Sequence, residues 1–372
     1  MVEKLENHLQ FKQYLMDSPV YKGGNPIQMI REKYGVEEIS KLASNENPLP
    51  TSPKVVEALQ TAVLNLNRYP LNSDETLREQ LANYVKQGVD KTQFFTGNGG
   101  CDVLALIAQG FLREGDEAIV CPPTFPIYEI TIKQMGARPV HAARKADFSY
   151  DVEAILTAVT PKTRLLYLCS PNNPTGNVLT QTEFDHLMDR LPSNIVVVAD
   201  EVYWQFNTNE QMADSLAYVN QGYPIIVVHS FSKLFGLAGL RLGYAITTPQ
   251  IADYLARGKR PFHINHLTLT AAHAALDDQE MIERVTAVTI AERTKMFQAL
   301  TDMDGITAFP SESNFVLFKP ERDSQQLTDA LMQDGMIIRE LSKFYLPGYC
   351  RVSIGLPEEN ERFLQLLQKH LR

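Results

Sequence analysis

Between residues 75 and 247 the chain alternates short apolar runs with amphipathic stretches, and this alternation restricts the fold more than any other feature. Seven runs have a strand pattern: Gln93–Thr96, Ala118–Cys121, Arg138–His141, Leu165–Cys169, Ile195–Ala199, Ile225–His229 and Gly243–Thr247. Most are continuous Val, Ile, Leu and Tyr, as expected for strands covered on both faces. The stretches Ser73–Gln87, Gly100–Leu112, Pro126–Met135 and Thr180–Leu191 read as helices. Such alternation predicts an α/β fold, a mostly parallel seven-stranded sheet sandwiched by helices.

After Thr248 the pattern changes. A long helical region covers about Asn265–Thr301, followed by strands at Phe315–Lys319, Met336–Arg339 and Arg351–Ile354. Helices are expected at Ser324–Gln333 and Glu358–Leu371, which together describe a smaller α+β domain. Before residue 45 lie an extended arm and one helix, Pro26–Tyr34. The predicted division is a large domain over 46–263 and a small one built from 1–45 and 264–372.

Charge and cysteine usage narrow the function classes. A formal net charge of −9 argues against a generic binder of nucleic acid or membrane surfaces. No run approaches the roughly 20 apolar residues of a membrane span, and Met1–Asn7 lacks the apolar core of a signal peptide. Four scattered cysteines without a C-x-x-C pair read as reduced thiols in a cytoplasmic protein.

The unusual residues gather at the carboxyl ends of the expected strands, where open α/β sheets bind ligands. Thr96-Gly97-Asn98-Gly99-Gly100-Cys101-Asp102 leads from a strand into a helix, so glycine backbone and free N–H groups face any anion there. The motif lacks the last glycine of a dinucleotide fingerprint and the G-K-[ST] of a P-loop. That argues against a nicotinamide dehydrogenase. Phe125 follows the next strand and could stack on a flat ring or pack in the core. Ser170-Pro171-Asn172-Asn173-Pro174-Thr175-Gly176 forms a stiff loop that holds the Asn173 amide at a strand end. Asp200 ends the all-apolar run Ile195–Ala199 and requires a cationic partner, either a protonated pyridine nitrogen or a core arginine. Tyr203 lies within reach of the same ligand.

Past the strand Ile225–His229 comes Ser230-Phe231-Ser232-Lys233, with Arg241 eight residues beyond the lysine. A lysine there can form an imine with a carbonyl cofactor, and hydroxyls with an arginine can hold a phosphate. An S-x-x-K also occurs in serine β-lactamases, but their S-D-N and K-T-G partners are absent.

In this order and spacing, Asn173-Pro174-Thr175-Gly176, Asp200-x-x-Tyr203 and Ser230-x-Ser232-Lys233 with Arg241 resemble the class I and II aminotransferases of pyridoxal phosphate (PLP) fold type I. Ser44-Asn45-Glu46-Asn47-Pro48, Asn67-Arg68-Tyr69-Pro70 and Gly239-Leu240-Arg241 look most like the histidinol-phosphate branch. The resemblance implies that Lys233 carries PLP and serves as general base, with Asp200 on the ring nitrogen and Tyr203 and Asn173 on its 3′ oxygen. Phe125 would stack on the ring. Gly99, Gly100, Cys101, Ser230, Ser232 and Arg241 would hold the phosphate, joined by Tyr69 from the partner subunit of a homodimer. Tyr21, Asn45, Arg339 and Arg351 would bind the amino donor and 2-oxoglutarate. An aromatic aminotransferase and a phosphothreonine decarboxylase are the alternatives on the same scaffold.

Two segments depart from the family pattern. Gly100-Cys101-Asp102 stands where small-Asp-Glu is usual, and Pro261-Phe262-His263 where Pro-Tyr-Asn is common. His263-x-x-His266 lacks a third ligand of suitable spacing, so no metal site is expected.

Overall fold

The computed structural model describes residues 10–18, 26–71 and 73–371. Its strands are β1 (Ser40–Lys41), β2 (Phe94–Gly97), β3 (Glu117–Val120), β4 (Arg138–His141), β5 (Thr163–Cys169), β6 (Val196–Asp200), β7 (Ile225–Ser230) and β8 (Gly243–Ile246). There follow β9 (Ile306–Phe309), β10 (Phe315–Pro320), β11 (Met336–Ile337), β12 (Arg339–Glu340) and β13 (Cys350–Ser353). Seven strands form one sheet in the order β2-β8-β7-β6-β5-β3-β4. All its neighbours run parallel except β8, which is antiparallel to both β2 and β7.

The apolar runs are continuous because both faces of this sheet are covered. Along β5, Leu166 and Leu168 join one core while Leu165, Tyr167 and Cys169 join the other. Val197 and Ala199 of β6 and Ile225 and Val227 of β7 repeat the first face, and Val196, Val198, Ile226 and Val228 the second. Each such aliphatic contributes roughly 1.5–3 kcal/mol by burial.

A second, four-stranded antiparallel sheet has the order β12-β13-β10-β9 and its own core around Phe318, Leu327, Val352 and Phe363. The strand expected over Met336–Arg339 is two strands in different sheets. Met336 and Ile337 pair in parallel with β1, whereas Arg339 and Glu340 pair with β13. The helical region expected over Asn265–Thr301 is likewise two helices, His266–Leu276 and Gln279–Thr301. Asn265 caps the first through Thr268 N, and Asp278 starts the second by accepting from Met281 N, so the chain restarts at Asp278. The helix Pro53–Ala62 was not expected from the sequence, although Ser52 capping it and Pro53 in its first turn are an ordinary helix start.

Candidate active site

A cavity of about 340 Å³ opens at the carboxyl ends of β5, β6 and β7, beside the N-terminus of helix Gly100–Phe111. Thirteen of the residues singled out in the sequence line it: Asn45, Gly100, Cys101, Phe125, Asn173, Asp200, Tyr203, Ser230, Ser232, Lys233, Arg241, Arg339 and Arg351. Gly99 stands just behind them as the N-cap, with φ of 95°, and a Cβ there would collide with the Arg241 guanidinium. The backbone can therefore turn into the helix only with glycine at this position.

Asp200 is the last residue of β6 and is buried. Its partner is not an arginine. Tyr128 Oη donates to Asp200 Oδ2 at 2.6 Å, and the Val202 N–H reaches Oδ1 at 3.3 Å. Burial pushes the Asp200 carboxyl up to about 6, against the pull of the Tyr128 hydroxyl. Sequence reasoning missed Tyr128, because nothing in an amphipathic helix signals which of its residues will meet a strand five elements further along the chain.

Lys233 Nζ donates to the backbone carbonyls of Asn45 at 3.0 Å and Ser44 at 3.2 Å. It lies 5.6 Å from the centre of the Tyr203 ring. Burial, followed by the charge of Arg351, lowers its amine to about 8. The Tyr203 hydroxyl accepts from Asn45 Nδ2 at 3.0 Å and from Asn173 Nδ2 at 3.5 Å. Asn173 Oδ1 in turn accepts from Arg351 Nη1, and Arg351 Nη2 donates to the Ala43 carbonyl at 3.1 Å. One buried network thus joins the arm, the large sheet and β13. Asn45 holds a left-handed backbone (φ 54°) and exchanges bonds with Ser353: its N–H donates to Ser353 Oγ at 2.8 Å, and that hydroxyl donates to Asn45 Oδ1 at 2.9 Å.

Arg241, another lining residue, is exposed, with φ of 58°, and reaches Ser232 Oγ at 3.5 Å and the Ala238 carbonyl at 3.0 Å. Gly100 and Cys101 open the helix beside it. Backbone N–H groups, two hydroxyls and a guanidinium make a cradle for a dianion. Arg339 lines the cavity half-buried, its Nε 3.4 Å from the Ala43 carbonyl.

Tyr69 is not brought to this cavity. It is 82% exposed and stacks on Phe262 with ring centres 4.6 Å apart. Tyr21 lies outside the described residues. His263 contacts Asp102 at 2.7 Å, and among the described residues no group of three His, Cys, Asp or Glu side chains is placed to hold a metal. Nor is any described helix long and apolar enough to cross a membrane.

Residues 37–367 match the family described as aminotransferase class I and II. The chain is 38% identical over 364 residues to histidinol-phosphate aminotransferase 2 of Hydrogenovibrio crunogenus, covering 96% of this chain and 95% of that one. It is 37% identical to histidinol-phosphate aminotransferase 2 of Haemophilus influenzae, covering 95% of each. In fold it is similar to the crystal structure of histidinol-phosphate aminotransferase from Sinorhizobium meliloti in complex with pyridoxal-5'-phosphate, with a TM-score of 0.87, 24% identity and 98% of each chain covered. The chain belongs to the class I and II aminotransferases.

Proposed function

We propose that this aminotransferase is PLP-dependent and transfers the amino group of L-histidinol phosphate to 2-oxoglutarate, yielding imidazole acetol phosphate and glutamate in histidine biosynthesis. One observation carries the reading: the Lys233 amine, the buried Asp200 carboxyl and the anion cradle at Gly100 and Arg241 meet in one cavity. The residues fit the cofactor. Asp200 is a buried acid that forms no bond to a cationic side chain among the described residues, and the cradle supplies donors for a phosphate. The relatives' names support the substrate.

Bound PLP supplies an aldehyde for an amine and a ring that accepts the electrons of a carbanion. Asp200 contributes a negative charge that keeps a ring nitrogen protonated. Lys233, its amine lowered to about 8, is neutral often enough near pH 7–8 to take a proton from the substrate α-carbon and return it. Tyr203, oriented by Asn45 and Asn173, would present its hydroxyl to the ring oxygen. Gly100, Cys101, Ser230, Ser232 and Arg241 would hold the phosphate, Gly99 shapes their loop, and Phe125 would pack against the ring. Arg351 captures the carboxylate of the 2-oxo acid in the two-pronged geometry of a guanidinium, and Arg339 meets the phosphate of the amino donor.

The same reading makes the protein a cytoplasmic homodimer in which Tyr69 serves the partner's cradle and Tyr21 covers the substrate. The exposed ring of Tyr69 and the free state of all four cysteines support this. Residues 46–263 form the cofactor-binding domain and 1–45 with 264–372 the smaller one. The pairing of β1 with β11 supports that division.

The test is a half-reaction. L-histidinol phosphate should rapidly convert the PLP form of the enzyme to the pyridoxamine form, followed by absorbance. Conversion by phenylalanine or tyrosine alone would replace the substrate with an aromatic amino acid. Release of CO₂ without consumption of a 2-oxo acid would make the protein a decarboxylase.

A further inference from the structure

The two segments that depart from the family pattern touch each other. Asp102 sits in the first turn of helix Gly100–Phe111 but does not line the cavity. Its Oδ2 accepts from the Asn98 backbone N–H at 2.7 Å and lies 2.7 Å from His263 Nε2. A carboxylate can only accept, so Nε2 carries the proton in this contact. The carboxylate crosses the loop closely enough that a Cβ on Gly97 would come 2.9 Å from Oδ2. The His263 side chain is only 13% exposed. Its segment is anchored a second time four residues earlier, where Lys259 Nζ reaches Asp74 Oδ2 and Thr96 Oγ1, each at 2.9 Å. Lys259 and His263 therefore grip the end of β2 on both sides of Gly97.

We infer that His263 is a positioning residue for the cofactor phosphate, acting through Asp102 on the Asn98–Cys101 loop; this rests on the PLP reading above. N–H groups at a helix N-terminus bind an anion well only when they already converge. A loop with glycines at 97, 99 and 100 has unusual conformational freedom, and binding would otherwise have to order it. The Asp102 carboxylate fixes the Asn98 peptide, and His263 fixes the carboxylate. It also gives that negative charge a donor.

The test is titration of cofactor-free protein with PLP, followed by absorbance, alongside the melting temperature of the same samples. His263→Ala should weaken PLP binding roughly tenfold, the scale of one hydrogen bond to a charged group. His263→Gln keeps an N–H donor and should recover most of that loss. Asp102→Ala should match His263→Ala, and the double variant should bind no worse than either single one. Affinity within twofold of wild type in a folded His263→Ala protein would overturn the inference. So would a loss that His263→Gln shares in full, because that pattern marks packing alone. If His263→Ala fails to fold, His263→Leu against His263→Gln carries the same comparison. Wild-type protein that takes up no PLP would overturn the cofactor reading itself, whereas equal uptake by wild type and variant sinks only the role of His263.

Discussion

Asp200 and Lys233 are ionisable groups that burial holds away from their ordinary states, and that has a cost in stability. Asp200 is raised from 3.8 to about 6, so between these values the folded protein binds more protons at this site than the unfolded chain. Its contribution is most favourable below about pH 4 and is lost as the pH rises through 6. Lys233 is lowered from 10.5 to about 8. Its penalty is present below pH 8 and fades toward pH 10.5. In cofactor-free protein, wild type should therefore lose stability relative to Asp200→Asn by on the order of 1–3 kcal/mol between pH 4 and 7.5. Urea denaturation of both proteins at the two pH values measures this. A difference that does not change with pH would show that the carboxyl is not raised. With PLP bound the pH dependence should shrink, because a cationic ring nitrogen holds the carboxylate ionised.

Strand ends, rather than whole elements, position the site, and glycine sets how closely they approach. Gly243 opens β8 opposite Gly97 on one side and Ser230 on the other. A Cβ on Gly243 would run into the backbone of Gly99 and Gly100, the start of the phosphate cradle. Gly243→Ala should destabilise the protein by about 2–3 kcal/mol and also weaken PLP binding, since the overpacked atom pushes on the helix start. A variant that melts early yet binds PLP normally would separate the fold's need for this glycine from the cradle's. At this scale the seven strands of the large sheet were legible in the sequence, each within a residue or two, because most of them are buried on both faces and must be apolar throughout, whereas Ser40–Lys41 and Ile306–Phe309 were not expected. The split of Met336–Arg339 between two sheets was not legible. Both halves have the same extended, partly apolar character, and only their partners, Ser40–Lys41 and β13, differ.

At the scale of the whole molecule, the cavity is closed by residues distant in sequence. Asn45 and Arg351 reach Tyr203 and Asn173 from the arm and from β13. Tyr69 remains outside, on an exposed stretch that also includes Leu64, Leu66 and Leu71. If Tyr69 serves a partner's cradle, a Tyr69→Ala homodimer and a Lys233→Ala homodimer, each nearly inactive, should regain activity when unfolded and refolded together. Random pairing gives half mixed dimers, each with one intact site, so recovery should approach roughly a quarter of wild type. No recovery would mean that both residues act within one subunit, or that no dimer forms.

Much of the site was determined by the sequence alone. Lysine, aspartate, asparagine and glycine at the ends of apolar strands must share one edge of the sheet, because parallel strands all end on the same side. The positions of Lys233, Asp200, Asn173 and Gly100 follow from that rule. What only the tertiary structure decided is which side chains complete them: Tyr128 on Asp200, Asn45 on Tyr203, and His263 on Asp102. These contacts join residues 72, 158 and 161 positions apart. Local periodicity sets which face of an element is apolar. It carries no information about which polar atom of a distant element will come within hydrogen-bonding distance, since packing of the assembled layers makes that choice.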